Sequence, residues 1–257
     1  MAAEFGLDGR VAIVTGALGK LGPIWVDALA GAGATVVGID LSGGELPGGA
    51  RLEAGDVTDR ASLEGVLERV RADLGEPSIL VNNAGIDQPP EAAARTQPVE
   101  EIDSDEFLRT LAVNTGGTFI ATQVFGGAMA AAGMGSIVNI GSLYSAIAPD
   151  PGFYDHMEVD PPFLKPPAYG ASKAGVVNLA RYFARLWGPR GVRVNALSPG
   201  GVLGGQDPEF LRKYTARVAL GRMAEPADLG GPLVFLASEA SSYLTGHHLL
   251  VDGGFTA

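Results

Sequence analysis

The sequence predicts an α/β protein with a doubly wound parallel sheet of about seven strands and helices on both faces. Two observations carry this prediction. Short and almost wholly apolar segments recur along the chain, as strands buried on both faces require, and segments of helical length separate them. No repeat or flexible linker divides the 257 residues. We therefore expect one domain that spans residues 1–257.

The predicted elements follow one another in a regular order. The apolar runs set the strands, and the longer segments between them set the helices. We expect strands at residues 10–15, 35–40, near 52, 78–81, 136–140, 192–196 and 248–251. We expect helices from the first glycine-rich turn to about residue 32, and then at 59–74, 107–132, 169–187 and 227–238.

Two segments interrupt this alternation. The first, an insertion at about 145–167, holds six prolines between residues 148 and 167. Proline suits neither a helix interior nor a central strand. The second segment, at about 200–225, begins with four glycines in six residues. Loops of this length in a compact domain are usually functional or disordered, so we expect an active-site loop and a substrate loop here.

Composition argues against several classes of function. A net charge of −11 disfavours binding to nucleic-acid phosphates, and the absence of cysteine excludes disulfides and thiolate chemistry. Residues 1–6 lack the basic start and apolar run of a signal peptide, and no apolar stretch of 18 residues occurs. We expect a cytoplasmic protein with a small-molecule substrate and with no nucleic-acid, membrane or metal partner.

A glycine-rich loop joins the first strand to the first helix. Gly16, Gly19 and Gly22 permit a tight turn and a close approach of a pyrophosphate to the helix N-terminus. Asp40 ends the second strand, 18 residues after Gly22, where a carboxylate accepts hydrogen bonds from ribose hydroxyls. This pattern predicts a Rossmann-type dinucleotide site. NAD is favoured over NADP because Asp40 repels a 2′-phosphate, although Lys20 could attract one.

A tyrosine and a lysine lie four residues apart at the start of a predicted helix. This spacing puts Tyr169 and Lys173 on one helix face. The positive charge of Lys173 favours the phenolate form of Tyr169, whose pKa is otherwise about 10. Such a pair suits a general acid or base that acts on an alcohol or a ketone.

Further motifs stand at the ends of successive predicted strands. With the glycine loop and the Tyr169/Lys173 pair, they make the chain resemble the short-chain dehydrogenase/reductase family over nearly all of its length. The chain departs from the compact branch of that family in two ways. Its glycine spacing matches the larger sugar-nucleotide epimerases and dehydratases, and Gly204 stands where a cofactor-contacting threonine often lies. The motifs are Asp56-Val57, Asn82-Asn83-Ala84-Gly85, Asn114, Ser142, Asn195, Pro199-Gly200 and the closing Val251-Asp252-Gly253-Gly254.

The resemblance implies roles for the residues of these motifs. Tyr169 would exchange a proton with the substrate oxygen, and Ser142 would hydrogen-bond that oxygen. Lys173 would hold the nicotinamide ribose and lower the pKa of Tyr169, and Asn114 would anchor a water that links Lys173 to solvent. Asn82 and Asn195 would brace the structure. The implied cofactor set is Gly16, Leu18, Gly19, Lys20, Leu21, Asp40, Asp56, Val57, Asn83, Ala84, Gly85, Tyr169, Lys173, Pro199, Gly200 and Val202.

The insertion begins and ends beside the implied reaction centre. Ser142 and Tyr169 lie 27 residues apart, further than is usual in the family. One hypothesis is a proline-stiffened cover over the substrate pocket. The alternative is an arm that packs on a neighbouring subunit. Under the first hypothesis the substrate contacts are Tyr144, Tyr154 and His156, with Glu158 and Lys165 as further polar groups.

The resemblance implies an NAD-dependent oxidoreductase that transfers a hydride between nicotinamide and a secondary alcohol or ketone. Polar groups in a covered pocket suit a sugar, sugar acid or polyol. Residues 249–257 resemble the segment through which the family forms tetramers, so we expect a homotetramer. Two alternatives stay open. The glycine spacing allows a sugar epimerase or dehydratase with tightly bound NAD, and a dinucleotide-binding protein without catalysis is the other.

Overall fold

The computed structural model describes residues 4–87 and 96–257, and its centre is one sheet of seven parallel strands. The strands lie in the order β3-β2-β1-β4-β5-β6-β7. The strand order therefore reverses between β1 and β4, as in a doubly wound sheet. The strands are β1 (Val11–Thr15), β2 (Thr35–Asp40), β3 (Arg51–Ala54), β4 (Ile79–Asn82), β5 (Gly135–Ile140), β6 (Val192–Pro199) and β7 (His248–Val251). The predicted fold class is confirmed.

Helices cover both faces of this sheet. The long helix α3 carries two π-helical turns, Ala112–Gly116 and Thr122–Gly126, and such turns often occur at functional sites. The helices are α1 (Gly22–Gly31), α2 (Arg60–Leu74), α3 (104–132), α4 (Pro167–Trp187), α5 (Pro208–Thr215) and α6 (Pro226–Ala237).

Alternate side chains of each strand enter two separate cores. On one face, Ile13 packs with residues of α2, α3 and α4, among them Phe125. On the other face, Val14 packs with α1 and α6 through Trp25 and Leu233. This alternation follows from the two-residue period of a strand. All five side chains are fully buried, and burial of each contributes about 1.5–3 kcal/mol to folding.

A third apolar cluster, which we call the insertion cluster, joins the insertion to the segment at 200–225. Phe153 lies 6.1 Å from Phe210 and 5.9 Å from Phe255, measured between ring centroids. Tyr154 stacks on Phe210 at 5.6 Å. The insertion therefore packs against its own chain. The buried members of the cluster are Leu143, Phe153, Tyr154, Phe163, Phe210, Tyr214, Val218 and Met223.

Helix α5 lies inside the segment that the sequence predicts to be a loop. Asp207 caps it by accepting hydrogen bonds from the N–H groups of Glu209 and Phe210, and Pro208 occupies its first turn. An aspartate followed by a proline is a helix-start signal. This helix was not predicted from the sequence, because it is short and the glycines before it dominate the pattern.

Residues 4–87 and 96–257 contain no helix that is both long and apolar enough to cross a membrane. Within the same residues, no three histidine, aspartate or glutamate side chains come together as a metal site would require.

Two buried asparagines serve the fold. Asn195 Nδ2 donates to the carbonyl of Leu244 at 2.9 Å, and its Oδ1 accepts from the N–H of His247 at 3.0 Å. Asn82 Nδ2 donates to Thr122 Oγ1 and to Asn139 Oδ1, both at 2.9 Å. These bonds join β4 to α3 and to β5.

Replacing Asn82 by alanine should destabilise the protein by about 1–3 kcal/mol, because buried partners lose their donor. Urea unfolding followed by circular dichroism measures this loss. Asn178 is exposed on α4, so Asn178→Ala serves as a control and should change stability by no more than about 0.5 kcal/mol. Equal stabilities of the two variants would contradict the bracing role.

Candidate active site

A cleft of about 680 Å³ opens at the carboxyl ends of β1, β2 and β4, where the strand order reverses. Open α/β sheets bind ligands at this switch point, in sites of about 300–1,000 Å³. Most of the predicted cofactor residues line it. They are Gly16, Leu18, Gly19, Lys20, Leu21, Asp40, Asp56, Val57, Asn83, Ala84, Gly85, Tyr169 and Lys173.

The three loop glycines have different surroundings. Gly16 has a φ of +62°, and a Cβ there would lie 2.7 Å from Ala84 Cα. A Cβ on Gly22 would lie 2.3 Å from the carbonyl oxygen of Ala17. Neither position can hold a side chain without a shift of the backbone. Gly19 lines the cleft, and among the described residues a Cβ there would meet Gly16 O alone, at 3.2 Å.

The side chain of Asn83 ties this loop to the end of β4. Its Nδ2 donates to the carbonyl oxygens of Gly16 at 2.8 Å and Thr15 at 3.1 Å, and its Oδ1 accepts from Trp25 Nε1 at 2.8 Å. Thr15 Oγ1 accepts in turn from the N–H groups of Asn83 and Ala84, each at 3.1 Å. The loop is thus held in one conformation by the protein itself.

Asp40 turns its carboxylate towards the glycine loop. Its Oδ2 accepts from the N–H of Leu18 at 2.9 Å and its Oδ1 from the N–H of Leu41 at 2.8 Å. Each carboxylate oxygen has two lone pairs, so both can accept a second hydrogen bond. Asp40 lines the cleft and can offer these lone pairs to ribose hydroxyls. The ammonium of Lys20 lies against Gly204, where a Cβ would come within 2.7 Å of it.

Asp56 and Val57 form another part of the cleft wall. Asp56 Oδ1 accepts from the N–H and the hydroxyl of Thr58 at 2.8 and 2.7 Å, which fixes the turn after β3. Val57 packs against Gly117 of α3, where a Cβ would lie 2.6 Å from Val57 Cγ2. The turn therefore presents its backbone to the cleft in a fixed position.

Pro199, Gly200 and Val202 do not line this cleft. The N–H of Gly200 donates to the carbonyl of Val251 at 2.9 Å, and Val202 pairs with Ala224. These contacts bind the end of β6 to β7 and to the segment before α6. Contact of the three residues with a cofactor stays a prediction.

Ser142 Oγ accepts from the N–H of Tyr144 at 3.2 Å, so its position after β5 is fixed. Burial raises the pKa of Tyr169 above its ordinary value near 10, the charge of Asp87 raises it further, and the nearby hydroxyl of Ser142 lowers it. The net effect keeps the phenol protonated.

Lys173 lies one helical turn from Tyr169 and is 6% exposed. Its Nζ donates to the carbonyl of Ile140 at 2.8 Å and lies 5.8 Å from the centroid of the Tyr169 ring. Burial lowers the pKa of Lys173 to about 8, against the opposite effect of Asp87. The sequence predicts that Lys173 lowers the pKa of Tyr169. The net shift runs the other way because burial of both groups favours their neutral forms.

Asn114 lies in the first π-helical turn of α3 and is fully buried. Its Oδ1 accepts from the N–H of Ile86 at 2.7 Å, and its Nδ2 donates to the Ile86 carbonyl at 3.0 Å and to Ser172 Oγ at 2.9 Å. A Cβ on Gly85 would lie 3.1 Å from Asn114 Oδ1 and 3.6 Å from Lys173 Nζ. Asn114 thus anchors the loop after β4 beside the lysine.

The three predicted substrate contacts have different positions. Tyr144 meets the ring of Tyr169 edge-on, at 6.5 Å between centroids. Tyr154 is only 4% exposed in the insertion cluster, where burial raises the pKa of its hydroxyl and the nearby Tyr144 raises it further. His156 Nε2 lies 2.9 Å from Asp207 Oδ1 at the start of α5. Tyr144 therefore reaches the reaction centre, whereas Tyr154 and His156 anchor the insertion.

Two charged residues that the sequence reasoning missed line the cleft, Asp87 and Arg109. Asp87 Oδ2 lies 2.7 Å from Lys165 Nζ, which comes from the insertion. Lys165 also lies over the Tyr169 ring, 5.3 Å from its centroid. Asp87 and Lys165 lie 78 positions apart in the sequence, which explains why no sequence pattern reveals the pair.

A family model described as enoyl-(acyl carrier protein) reductase matches residues 21–256 of this chain. Curated dehydrogenases match almost end to end. D-Threitol dehydrogenase of Mycolicibacterium smegmatis is 37% identical, over 98% of this chain and 95% of its own. Galactitol 2-dehydrogenase (L-tagatose-forming) of Cereibacter sphaeroides is also 37% identical, over 98% and 97%. The chain belongs to the short-chain dehydrogenase/reductase family. It is therefore an NAD(P)-dependent oxidoreductase.

Solved structures agree with this assignment. A short-chain dehydrogenase of Leptospira borgpetersenii with bound NAD+ superposes with a TM-score of 0.86 at 32% identity, covering 100% of this chain and 95% of the other. A gluconate 5-dehydrogenase of Burkholderia cenocepacia in complex with NADP and tartrate superposes with a TM-score of 0.82 at 29% identity, covering 99% and 98%. Family members of this shape therefore bind either dinucleotide.

Proposed function

We propose that this short-chain dehydrogenase/reductase oxidises a secondary hydroxyl of a polyol, sugar or sugar acid with NAD, through Ser142, Tyr169, Lys173 and Asn114. The observation that carries the proposal is the placement of the buried Lys173 against the ring of Tyr169, with the hydroxyl of Ser142 near the same phenol. A phenol and a hydroxyl that lie side by side can both contact one substrate oxygen.

Proton transfer is assigned to Tyr169. In oxidation its phenolate takes the proton of the substrate hydroxyl, and in reduction its phenol returns that proton to the ketone oxygen. Ser142 donates a hydrogen bond to the same oxygen and stabilises the negative charge that develops on it. When bound, the nicotinamide supplies the acceptor or the donor of the hydride.

Lys173 and Asn114 connect the reaction centre to the interior of the protein. Lys173, with its pKa lowered to about 8, gains or loses a proton near neutral pH and can exchange one with Tyr169. It would also hold the ribose of the cofactor. Asn114 keeps the loop of Gly85 and Ile86 beside the lysine through its three hydrogen bonds. The water that we assign to Asn114 would complete the path of the proton.

The cleft suits a dinucleotide on three grounds. Gly19 is open to it, Asp40 lines its far end, and Leu21 at the start of α1 makes no side-chain capping bond. The N–H groups of this turn can therefore serve a pyrophosphate. NAD is the proposed cofactor, because a carboxylate at Asp40 accepts from ribose hydroxyls and repels a 2′-phosphate.

The substrate class rests on the relatives and on the polar groups near Tyr169. Two relatives act on polyols and one solved neighbour is a gluconate 5-dehydrogenase, as their names state. Beside Tyr169, this chain places the carboxylate of Asp87, the ammonium of Lys165 and the ring of Tyr144. We propose that the insertion covers this region and that its aromatic cluster holds it there.

Tyr169→Phe removes the acid/base group and keeps the ring, so kcat should fall about 10²–10⁴-fold. Binding of NAD, followed by quenching of tryptophan fluorescence, should change less than threefold. Tyr243 is fully exposed, so Tyr243→Phe is the matched control. Near-normal turnover by Tyr169→Phe would exclude the mechanism. Net NADH formation by the wild type on a polyol would exclude an epimerase, because an epimerase returns its hydride to the substrate. The same result would exclude a dinucleotide-binding protein without catalysis.

The pH dependence should differ between the two directions. Burial raises the pKa of Tyr169, so the phenol dominates at neutral pH. Oxidation needs the phenolate, and its rate should therefore rise as the pH increases from about 6 to 10. Reduction needs the phenol and should be fastest at the lower end. Initial rates of NADH formation and of NADH consumption across this pH range measure the two directions. Parallel pH profiles would contradict the assignment of Tyr169 as the acid/base group.

Asp40→Ser removes the carboxylate that we assign to the ribose. Loss of a hydrogen bond to a charged group costs about 1.5–3 kcal/mol, so kcat/KM with NAD should fall about ten- to hundredfold. The preference for NAD over NADP should shrink. Asp27 is exposed on α1, so Asp27→Ser is the control and should alter neither value. An unchanged preference in Asp40→Ser would assign the cofactor choice to another group.

We further propose a homotetramer. The edge strand β7 and the residues after it are only half-buried, and Tyr182 and Leu186 of α4 are 60% and 50% exposed. Apolar surface of this kind marks protein interfaces. Light scattering on the eluted protein should give the mass of four 26.3-kDa chains. A monomer mass would contradict the proposal.

A further inference from the structure

We propose that Asp87, held in place by Lys165, binds a substrate hydroxyl next to the reacting carbinol and so selects polyols over simple alcohols. This inference rests on the function proposed above and assigns its specificity to two residues. Asp87 would be the residue that contacts the substrate, and Lys165 would be a positioning residue.

The first argument is location. Asp87 lines the same cleft as Tyr169 and Lys173 and follows directly after Ile86, whose backbone Asn114 anchors. Its ion-pair partner Lys165 lies over the Tyr169 ring, 5.3 Å from the centroid. A carboxylate there is within reach of the substituents on the carbon next to the reacting one.

The second argument is the unequal exposure of the pair. The Lys165 side chain is 6% exposed, whereas that of Asp87 is 37% exposed. The ammonium is thus enclosed between the insertion and Tyr169, and the carboxylate turns a third of its surface outwards. The exposed part of this carboxylate can accept hydrogen bonds from hydroxyl donors. Neutral hydroxyls suit this site because the ammonium of Lys165 already balances the charge of the Asp87 carboxylate.

The third argument is electrostatic. After the larger effect of burial, Asp87 raises the pKa of Tyr169 and so opposes formation of the phenolate. A negative charge beside the catalytic base works against oxidation, so its presence there needs another reason. Binding of a substrate hydroxyl is such a reason, and the ion pair with Lys165 reduces the repulsion between Asp87 and the phenolate.

The insertion explains how Lys165 reaches this position. Phe153, Tyr154 and Phe163 are buried in the insertion cluster, which fixes the segment that precedes Lys165. Pro166 and Pro167 follow and start α4 two residues before Tyr169. Lys165 is therefore held at both ends, and its buried side chain can orient the Asp87 carboxylate.

The test uses two substrates that differ by one neighbouring hydroxyl, butane-2,3-diol and butan-2-ol. The kcat/KM ratio of diol to mono-alcohol, with NAD, isolates the contribution of that hydroxyl. In Asp87→Ala this ratio should fall about ten- to hundredfold, as for a lost hydrogen bond to a charged acceptor. Asp87→Asn keeps a hydrogen-bond acceptor, so the ratio should fall less in this variant. Lys165→Met keeps the length of the side chain and should also lower the ratio.

Asp155→Asn provides the matched control. Asp155 belongs to the insertion and forms an ion pair with Lys213, but it is 68% exposed and does not line the cleft. This variant should keep the ratio within twofold of wild type, which separates substrate recognition from simple fastening of the insertion. Thermal melting of each variant checks folding. If Asp87→Ala is unstable, Asp87→Asn and Lys165→Met carry the test.

Each possible result tests one statement: the role of Asp87, the role of Lys165, the effect of the insertion as a whole, or the proposed function. A ratio within twofold of wild type in both Asp87 variants would overturn the inference. A lowered ratio in the Asp87 variants with an unchanged ratio in Lys165→Met would overturn the positioning role of Lys165. An equal loss in Asp155→Asn would assign the effect to the insertion as a whole. Failure of the wild type to reduce NAD with butane-2,3-diol, threitol and galactitol alike would instead overturn the proposed function.

Discussion

The hydrogen bonds of Asn83 are the interaction on which the rest of this site depends. They join the end of β4 to the glycine loop after β1, at the point where the order of the strands reverses. At this point the connections that follow the strands run to opposite faces of the parallel sheet, and the space between them forms the cleft. Because the amide holds Gly16 and Thr15 at a set distance from β4, the cleft has a defined width before any ligand enters.

A second constraint is the burial of Tyr169 and Lys173 side by side. Burial raises the pKa of the phenol and lowers that of the amine to about 8, so it disfavours the charged form of each group. A ligand that brings positive charge or hydrogen bonds to the phenol would favour its phenolate.

The sequence indicated the positions that belong to local patterns. Gly16, Gly19 and Asp40 follow from the turn and from the end of a strand, and the structure places them at the cleft. Tyr169 and Lys173 follow from helical spacing. Asp87 escaped notice because it belongs to no periodic pattern and acquires its role from a lysine 78 residues away. Tyr154 was predicted as a substrate contact from its place in an inserted loop, and its packing against Phe210 could not be read from the sequence because Phe210 lies in a distant segment.

The sequence by itself determined the order of strands and helices, the dinucleotide loop and the Tyr169/Lys173 pair, because each depends on residues near one another along the chain. Only the tertiary structure decided which side of the insertion faces the site and which direction the pKa of Tyr169 takes. Both depend on burial and on charges such as Asp87 that come from distant segments. Burial and long-range charge are properties of the packed chain, and no local pattern contains them.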